Sequence, residues 1–355
     1  MMHDIIVVGA GPAGSYAAYK CASYGLDTLL VERTRLPRAK ACGGAIGTDT
    51  VSHLGKDVMD VVERLGYENR LYFDYKLINV LKKPKFFVRR RAFDYYITQM
   101  AEGAGFKVED GKSVKAVVIK KDGVEVRTKE ATNKSRIVIG GDGMPSTVGK
   151  SVGLMQDNDR VYLAFRSQID LPDSEIDTLL EIEGEANNNT YFFSDFLGFC
   201  WLIPNRNSIN VGIGALIRKS NKIREKVTEF VRHFNLEENA PIKGHLIPYR
   251  PLDKIYSERV CLVGDAGGFV NPWNGCGIDL GIESSEKAAE TCKLAVEEND
   301  FSESSLSRYQ KSLNKQLRSL RFRSGILGLL DDLTPTDFSM PPIGESFVRQ
   351  LSKLA

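Results

Sequence analysis

None of the six cysteines of this chain (Cys21, Cys42, Cys200, Cys261, Cys276, Cys292) forms a C-x-x-C pair with another, so neither a zinc site nor an iron–sulfur cluster is expected. Charge of neither sign dominates. The 48 basic residues are balanced by 46 acidic ones, a net charge of +2, which argues against a general nucleic-acid binder. No apolar run approaches the ~18 residues that span a bilayer. An apolar strand pattern begins within the first few residues, leaving no room for a secretory leader, so a cytoplasmic protein is expected. Internal repeats and low-complexity linkers are missing too. What remains is a chain of 355 residues with ordinary globular composition, long enough for two closely joined subdomains around a large core. Cys21 and Cys292 fall in helical patterns and Cys261 in a strand, where they read as small buried hydrophobes.

The richest stretch comes first. Ile5-Ile6-Val7-Val8 runs into Gly9-Ala10-Gly11-Pro12-Ala13-Gly14, three glycines spaced G-x-G-x-x-G. A helical pattern follows from Ser15 to Tyr24, and Asp27 to Val31 reads as a second buried strand ending at Glu32. Gly9 permits the tight turn, Gly11 lets backbone approach a pyrophosphate, and Gly14 lets helix and strand pack closely. The phosphates then sit on the free N–H groups at the helix start. Glu32, 18 residues beyond Gly14, is placed to accept hydrogen bonds from a ribose. Strand, glycines, helix and acid together predict dinucleotide binding.

Past Glu32, a loop carries Lys40-Ala41-Cys42-Gly43-Gly44, whose glycines allow backbone to approach a flat ligand. Strand patterns of a second sheet follow over residues 71–89, then a helix opens at Arg90-Arg91-Ala92-Phe93-Asp94 and runs to about Ala104. Val114–Ile119 and Val124–Arg127 read as a hairpin. Arg136 to Gly143 is a buried strand ending in a second glycine cluster, Gly140-Gly141-Asp142-Gly143. Strands alternate over 160–215, with Asn187-Asn188-Asn189 as a polar turn, and a helix (222–235) and a strand (242–249) come next. A third strand-to-glycine junction, Val260 to Gly268, leads through Asn271-Pro272-Trp273-Asn274-Gly275-Cys276-Gly277 into a long helix to Glu297.

Three strand ends with glycine and acid suit a dinucleotide longer than one βαβ unit holds. Gly9, Gly11, Gly14 and Glu32 take its adenosine diphosphate half, Gly264 and Asp265 the ribityl chain, and the helix starting near Gly277 aims its positive end at the flavin ring. Only one G-x-G-x-x-G occurs, so FAD held through turnover is expected, with no separate NAD(P)H domain. The fold class is α/β: an FAD-binding Rossmann-like domain (1–70, 90–155 and 255–300), an inserted mixed α+β substrate domain with a large antiparallel sheet (71–89 and 156–254), and a C-terminal helical segment (301–355).

Four of these elements, in this order, carry a resemblance. Gly9 to Gly14, Arg90-x-x-Phe93-Asp94, Gly141-Asp142-Gly143 and Gly264-Asp265-Ala266-Gly267-Gly268 are similar to the signatures of the flavoprotein group containing aromatic hydroxylases, flavin-dependent halogenases and geranylgeranyl reductases. The resemblance implies FAD contacts from Pro12, Ala13, Arg33, Cys42, Arg90, Asp142, Gly275, Gly277 and Ile278 as well. Within the group, Cys42-Gly43-Gly44 resembles the cysteine-glycine-glycine loop of geranylgeranyl reductases. Phe199-Cys200-Trp201-Leu202-Ile203-Pro204 falls where those enzymes carry Y-x-W-x-F-P, with Phe199 lacking the tyrosine hydroxyl. It is equally near the halogenase W-x-W-x-I-P, although the glutamate that follows the halogenase lysine is missing after Lys40.

The expected branch is therefore an FAD-dependent reductase of isoprenoid (geranylgeranyl) chains of lipids, working by hydride transfer from reduced flavin. A flavin-dependent aromatic monooxygenase or halogenase is the alternative, and an FAD-binding electron-transfer protein is the non-enzymatic one. Cys42, Gly43 and Gly44 are the expected catalytic loop, with Cys42 or a water near the proton that an unactivated alkene needs. Phe199, Trp201 and Ile203 alternate onto one face of a strand and, with Pro272 and Trp273, are expected to line an apolar substrate cavity. No metal is implied. The expected partners are an isoprenoid lipid and an external electron donor.

Two further readings concern cysteines and the C-terminal segment. Cys276, beside a helix start, is expected to have a lowered thiol pKa. It is read as a packing residue in preference to a disulfide partner of Cys42, which would need Cα atoms about 4.4–6.8 Å apart. From Ser304 to Leu330, Leu306, Tyr309, Leu313, Leu317 and Leu320 recur at helical spacing among six basic residues and no acidic one. This stripe suits either the core or a peripheral membrane contact.

Overall fold

The computed structural model describes residues 2–156, 161–216, 223–236 and 241–333. Its opening strand, Met2–Val8, lies inside the first sheet, parallel to Thr28–Val31 on one side and Thr132–Gly140 on the other. Ile5 to Val8 are all buried, as a β-branched run covered on both faces requires. Val260–Leu262 and Lys107–Glu109 extend the sheet in parallel, while Tyr256–Ser257 and the hairpin of Ala116–Lys120 and Gly123–Arg127 join it antiparallel. Helix Pro12–Ser23, with proline in its first turn, packs against helices Arg90–Gly103 and Ile278–Glu297.

The second sheet runs Lys243–Pro248, Val161–Asp170, Ser208–Leu216, Phe196–Asn205, Ala186–Phe193, Val62–Phe73, Lys76–Val88, Ala45–Ile46. Neighbours are antiparallel except Ala186–Phe193 and Val62–Phe73, which run parallel. It starts earlier in the chain than residue 71. The stretch after Val62 is rich in charge, which hides its strand character. Those charges are satisfied locally: Arg64 reaches Asp173 and Asp177, and Glu63 reaches Arg89. Helices Asp173–Leu180 and Ile223–His233 cover one face of this sheet. The other face looks toward the strand ends of the first.

Asn187-Asn188-Asn189 is not a turn but lies within strand Ala186–Phe193, with all three side chains buried. Asparagine favours turns in isolation; here tertiary amide hydrogen bonds override that preference. Asn187 Nδ2 donates to the Leu180 carbonyl, Asn189 Nδ2 to Tyr191 Oη, and Asn188, on the opposite face, to Asn69 Oδ1. The basic C-terminal stretch forms two helices, Glu303–Ser312 and Asn314–Leu333. Leu306, Tyr309, Leu313, Leu317 and Leu320 are buried in the first sheet's core, and Tyr309 Oη donates to the Leu262 carbonyl. That stripe is spent on packing. The rest of the C-terminal segment, 334–355, lies outside the described residues. Among the described residues no helix is long and apolar enough to cross a membrane.

Candidate active site

Between the strand ends of the first sheet and the open face of the second lies a cavity of about 390 Å³. One wall is glycine backbone. At Gly14 a side chain is impossible, since a Cβ would stand 1.8 Å from the Gly9 carbonyl oxygen; Gly9 itself has φ +98° and would clash with Gly141. These two residues shape the turn and leave the lining to Gly11, Pro12 and Ala13. The other two junctions contribute Gly141, Gly143, Gly264 and Asp265, and Gly275, Gly277 and Ile278 close the wall at the start of helix Ile278–Glu297. This backbone fits FAD. A Cβ on Gly11 would meet nothing nearer than Arg38 Nη2 at 3.8 Å, so the helix start at Pro12 is open for a pyrophosphate to approach.

Glu32 stands beside that turn, nearly fully buried. Its carboxylate accepts from the Ala10 N–H (2.7 Å) and the Thr34 N–H (3.0 Å). Arg33, the next residue, is exposed, because it follows the buried end of the strand and turns outward. Arg38 takes the inner position, donating to the Ala10 carbonyl (3.1 Å) and reaching both Glu32 and Asp94. Asp142 lies outside the cavity lining, and both its oxygens hold the following helix start, accepting from Ser146 Oγ, Thr147 N and Val148 N.

The Lys40–Gly44 loop lies across the second sheet. Gly43 rests on Ile203 and Trp201, so close that a Cβ would come within 2.7 Å of Ile203 Cδ1. Gly44, at φ +78°, accepts from Val88 N at 2.8 Å. Below the loop, Trp201 Nε1 donates to Asn210 Oδ1 (2.8 Å), and Asn210 Nδ2 donates to the Cys42 carbonyl (3.0 Å). Trp201 is paired across the strands with Gly212, where any side chain would occupy the indole's space. Phe199, Trp201, Ile203 and Trp273 line the cavity. Pro272 does not; it is buried, and its carbonyl accepts from Tyr162 Oη.

Charge gathers at the loop. Arg90 makes a two-point bond to Asp94 (2.6 and 2.9 Å) and faces Cys42. Burial works against its charge, but Asp94 and Cys42 outweigh burial and raise its pKa. Lys40 Nζ lies 2.8 Å from His245 Nε2, which lies 3.6 Å from Asp265 Oδ2. Burial lowers the Lys40 pKa to about 8, with Asp265 acting in the opposite direction. It lowers that of His245 too. Burial would raise the pKa of Asp265, yet the neighbouring His245 and the Lys40 charge hold it below the usual carboxylate value. Asp265 thus faces a basic pair that the strand-end motif alone does not reveal. His245, Arg38 and Asn210 carry no sequence signal beyond their strand and loop positions.

Cys42 and Cys276 are both free thiols, Cys42 in the cavity wall at the loop and Cys276 beside Gly277. Burial raises the Cys276 pKa, the opposite of the expected lowering. Desolvation exceeds the pull of the neighbouring helix start. Among the described residues no cluster of metal ligands occurs.

Residues 4–141 match the family model described as FAD dependent oxidoreductase. Digeranylgeranylglycerophospholipid reductase of Methanocaldococcus jannaschii is 27% identical over 371 residues, covering 97% of this chain and 91% of its own length. The fold is similar to a geranylgeranyl bacteriochlorophyll reductase-like protein from Thermoplasma acidophilum, with a TM-score of 0.83, 21% identity, and coverage of 100% of this chain and 99% of that one. It is also similar to a variant of the halogenase PltM in complex with FAD, with a TM-score of 0.73, 15% identity, and coverage of 96% and 78%. The chain is an FAD-dependent oxidoreductase. Within that class it is similar to proteins named as geranylgeranyl reductases.

Proposed function

We propose that this enzyme saturates isoprenoid double bonds of a lipid. One observation carries the reading: the wall that begins under the Cys42–Gly44 loop with Trp201 and Phe199 continues as Leu71, Phe73, Leu81 and Phe192, an apolar surface fit for a long hydrocarbon chain. The M. jannaschii relative, named for a prenylated glycerophospholipid, points the same way. Bound FAD, once reduced by an outside donor, supplies hydride chemistry, and Gly11, Arg38, Gly264 and Asp265 would hold it.

The chain's own residues handle substrate and proton. Trp201, braced by Asn210 and Gly212, fixes the floor on which a prenyl unit lies. Each saturation also consumes a proton. Lys40 Nζ holds one at the cavity wall, close to neutrality in its proton affinity, and His245 Nε2 at 2.8 Å can exchange it. The Cys42 thiol, facing Arg90, is the second donor within this loop. Apolar side chains keep bulk water from the rest of the wall.

The test is incubation of FAD-loaded, dithionite-reduced protein with a geranylgeranyl lipid, followed by mass spectrometry. Mass gains in steps of two hydrogens are expected. Unchanged lipid sinks the proposal, and oxygen or halogen addition under air and halide would replace it with the monooxygenase or halogenase reading that the PltM-like fold allows.

A further inference from the structure

The cavity's apolar wall is interrupted at one place. Where strand Val62–Phe73 runs between Lys76–Val88 and Ala186–Phe193, the cavity face presents Asn69, Asn188, Thr190, Lys83 and Lys85. Asn69 Oδ1 accepts from both Asn188 Nδ2 (2.9 Å) and Thr190 Oγ1 (3.2 Å). Asn188 is 7% exposed, and its Oδ1 is buried without a hydrogen-bond partner, an arrangement that needs a reason. Lys82, which alternates onto the other face, lies within 3.9 Å of Glu68. Lys83 and Lys85, on the cavity side, have no carboxylate partner among the described residues. The acidic side chains in the lining are Asp265, engaged with His245, and Asp279, which accepts from Gly47 N and Thr50 Oγ1. Two unneutralised ammonium groups, amides and a hydroxyl thus sit on one patch, and apolar side chains continue beside them.

We infer that Lys83 and Lys85, with Asn69, Asn188 and Thr190, form a subsite for the phosphate headgroup of the prenyl substrate. The inference rests on the apolar-chain reading above and adds what the other end of that chain carries. Two lysines supply charge to a phosphate, and the amide–hydroxyl row supplies oriented donors and one free acceptor for a headgroup hydroxyl. The patch then anchors one end of the ligand while the chain lies along Leu71, Phe192 and Trp201.

The chain's two tryptophans, Trp201 and Trp273, both line the cavity, so intrinsic fluorescence of the FAD-loaded protein reports occupancy. The probes are geranylgeranyl phosphate and geranylgeraniol, equal in chain and different in headgroup. Wild type should bind the phosphate at least about tenfold tighter, the scale of one charge-assisted hydrogen bond, and the gap should narrow as salt rises. Lys83→Met with Lys85→Met should weaken the phosphate to about the affinity of the alcohol and leave the alcohol's affinity in place. Lys83→Arg with Lys85→Arg should restore the gap. Equal affinities in wild type, or a gap that survives the methionine pair, overturns the headgroup assignment and leaves the cavity reading standing. Weakening of both probes together marks a structural role and overturns it as well. A response to inorganic phosphate at the concentration where geranylgeranyl phosphate responds makes this a plain anion site. No response to either prenyl probe overturns both readings.

Discussion

Lys40 Nζ and Asp265 Oδ2 share one imidazole nitrogen, His245 Nε2, at 2.8 and 3.6 Å. Three segments far apart in sequence meet at that atom, and Arg38, Arg90 and Asp94 add their charges around it. The folded, flavin-free protein releases the Lys40 proton near pH 8, whereas an unfolded chain keeps it to about 10.4. Between those limits the folded state binds fewer protons, so this group makes stability rise with pH and contributes nothing above the unfolded value. Thermal melts of flavin-stripped protein across this range should show a rising component that Lys40→Met removes. Parallel curves for parent and variant would contradict the assignment. The proposed prenyl reduction consumes a proton and should decline as alkaline pH empties the amine.

The contact of Trp201 with Gly212 separates two glycines of one strand. A Cβ on Gly212 would stand 2.0 Å from Trp201 Cζ2, but a Cβ on Gly214 would meet Phe199 at 3.5 Å, an ordinary contact. Gly212→Ala should cost about 1–3 kcal/mol by overpacking and displace the indole from Asn210, shifting tryptophan emission. Gly214→Ala should do neither. Denaturant melts and emission spectra of the pair decide it; equal effects would show that the indole's position is not fixed there.

Glu32 and Arg33 are neighbours with opposite fates. Glu32→Ala removes the acceptor of the Ala10 N–H at the glycine turn and of the Thr34 N–H and should weaken FAD retention by roughly 1.5–3 kcal/mol. Arg33→Ala, at an exposed position outside the cavity, should hold FAD like the parent. Flavin occupancy after dialysis measures both. A loss at Arg33 with none at Glu32 would reverse the assignment.

Six free cysteines should give six thiols in denatured protein, with no gain after prior reduction. In the native protein Cys276, its thiol pKa raised by burial, should be alkylated slowly near neutral pH, since the thiolate is the nucleophile. Peptide mapping after timed alkylation tests this. Prompt labelling of Cys276 would show that the helix start prevails over desolvation.

How far the sequence could be read depended on what constrained each residue. Gly9, Gly11 and Gly14 announce themselves because no other residue fits the turn, and Ile5 to Val8 because a strand covered on both faces must be apolar. The Trp201 strand was legible for its alternation. His245 was not, since its meaning lies in a lysine 205 residues away. Spacing alone does not say which of Arg33 and Arg38 turns inward to Ala10 and Glu32; Arg38 does. The asparagine run misled through composition, as the acceptors of its side-chain N–H groups include the Leu180 carbonyl and Asn69 Oδ1, which only folding brings beside it.

The chain passes between the two sheets four times, after Val31, Val88, Gly140 and Pro248. The short strand Ala45–Ile46 follows directly on the Cys42–Gly44 loop and forms the last strand of the second sheet. No single cleavage therefore frees a self-contained half. A nick within the second sheet leaves fragments that each lack strands of both, so limited proteolysis there should yield fragments that stay associated, and separately expressed halves should fail to fold alone. Ligands that grip the glycine wall should tighten the second sheet as well, through the covalent continuity of residues 42–46.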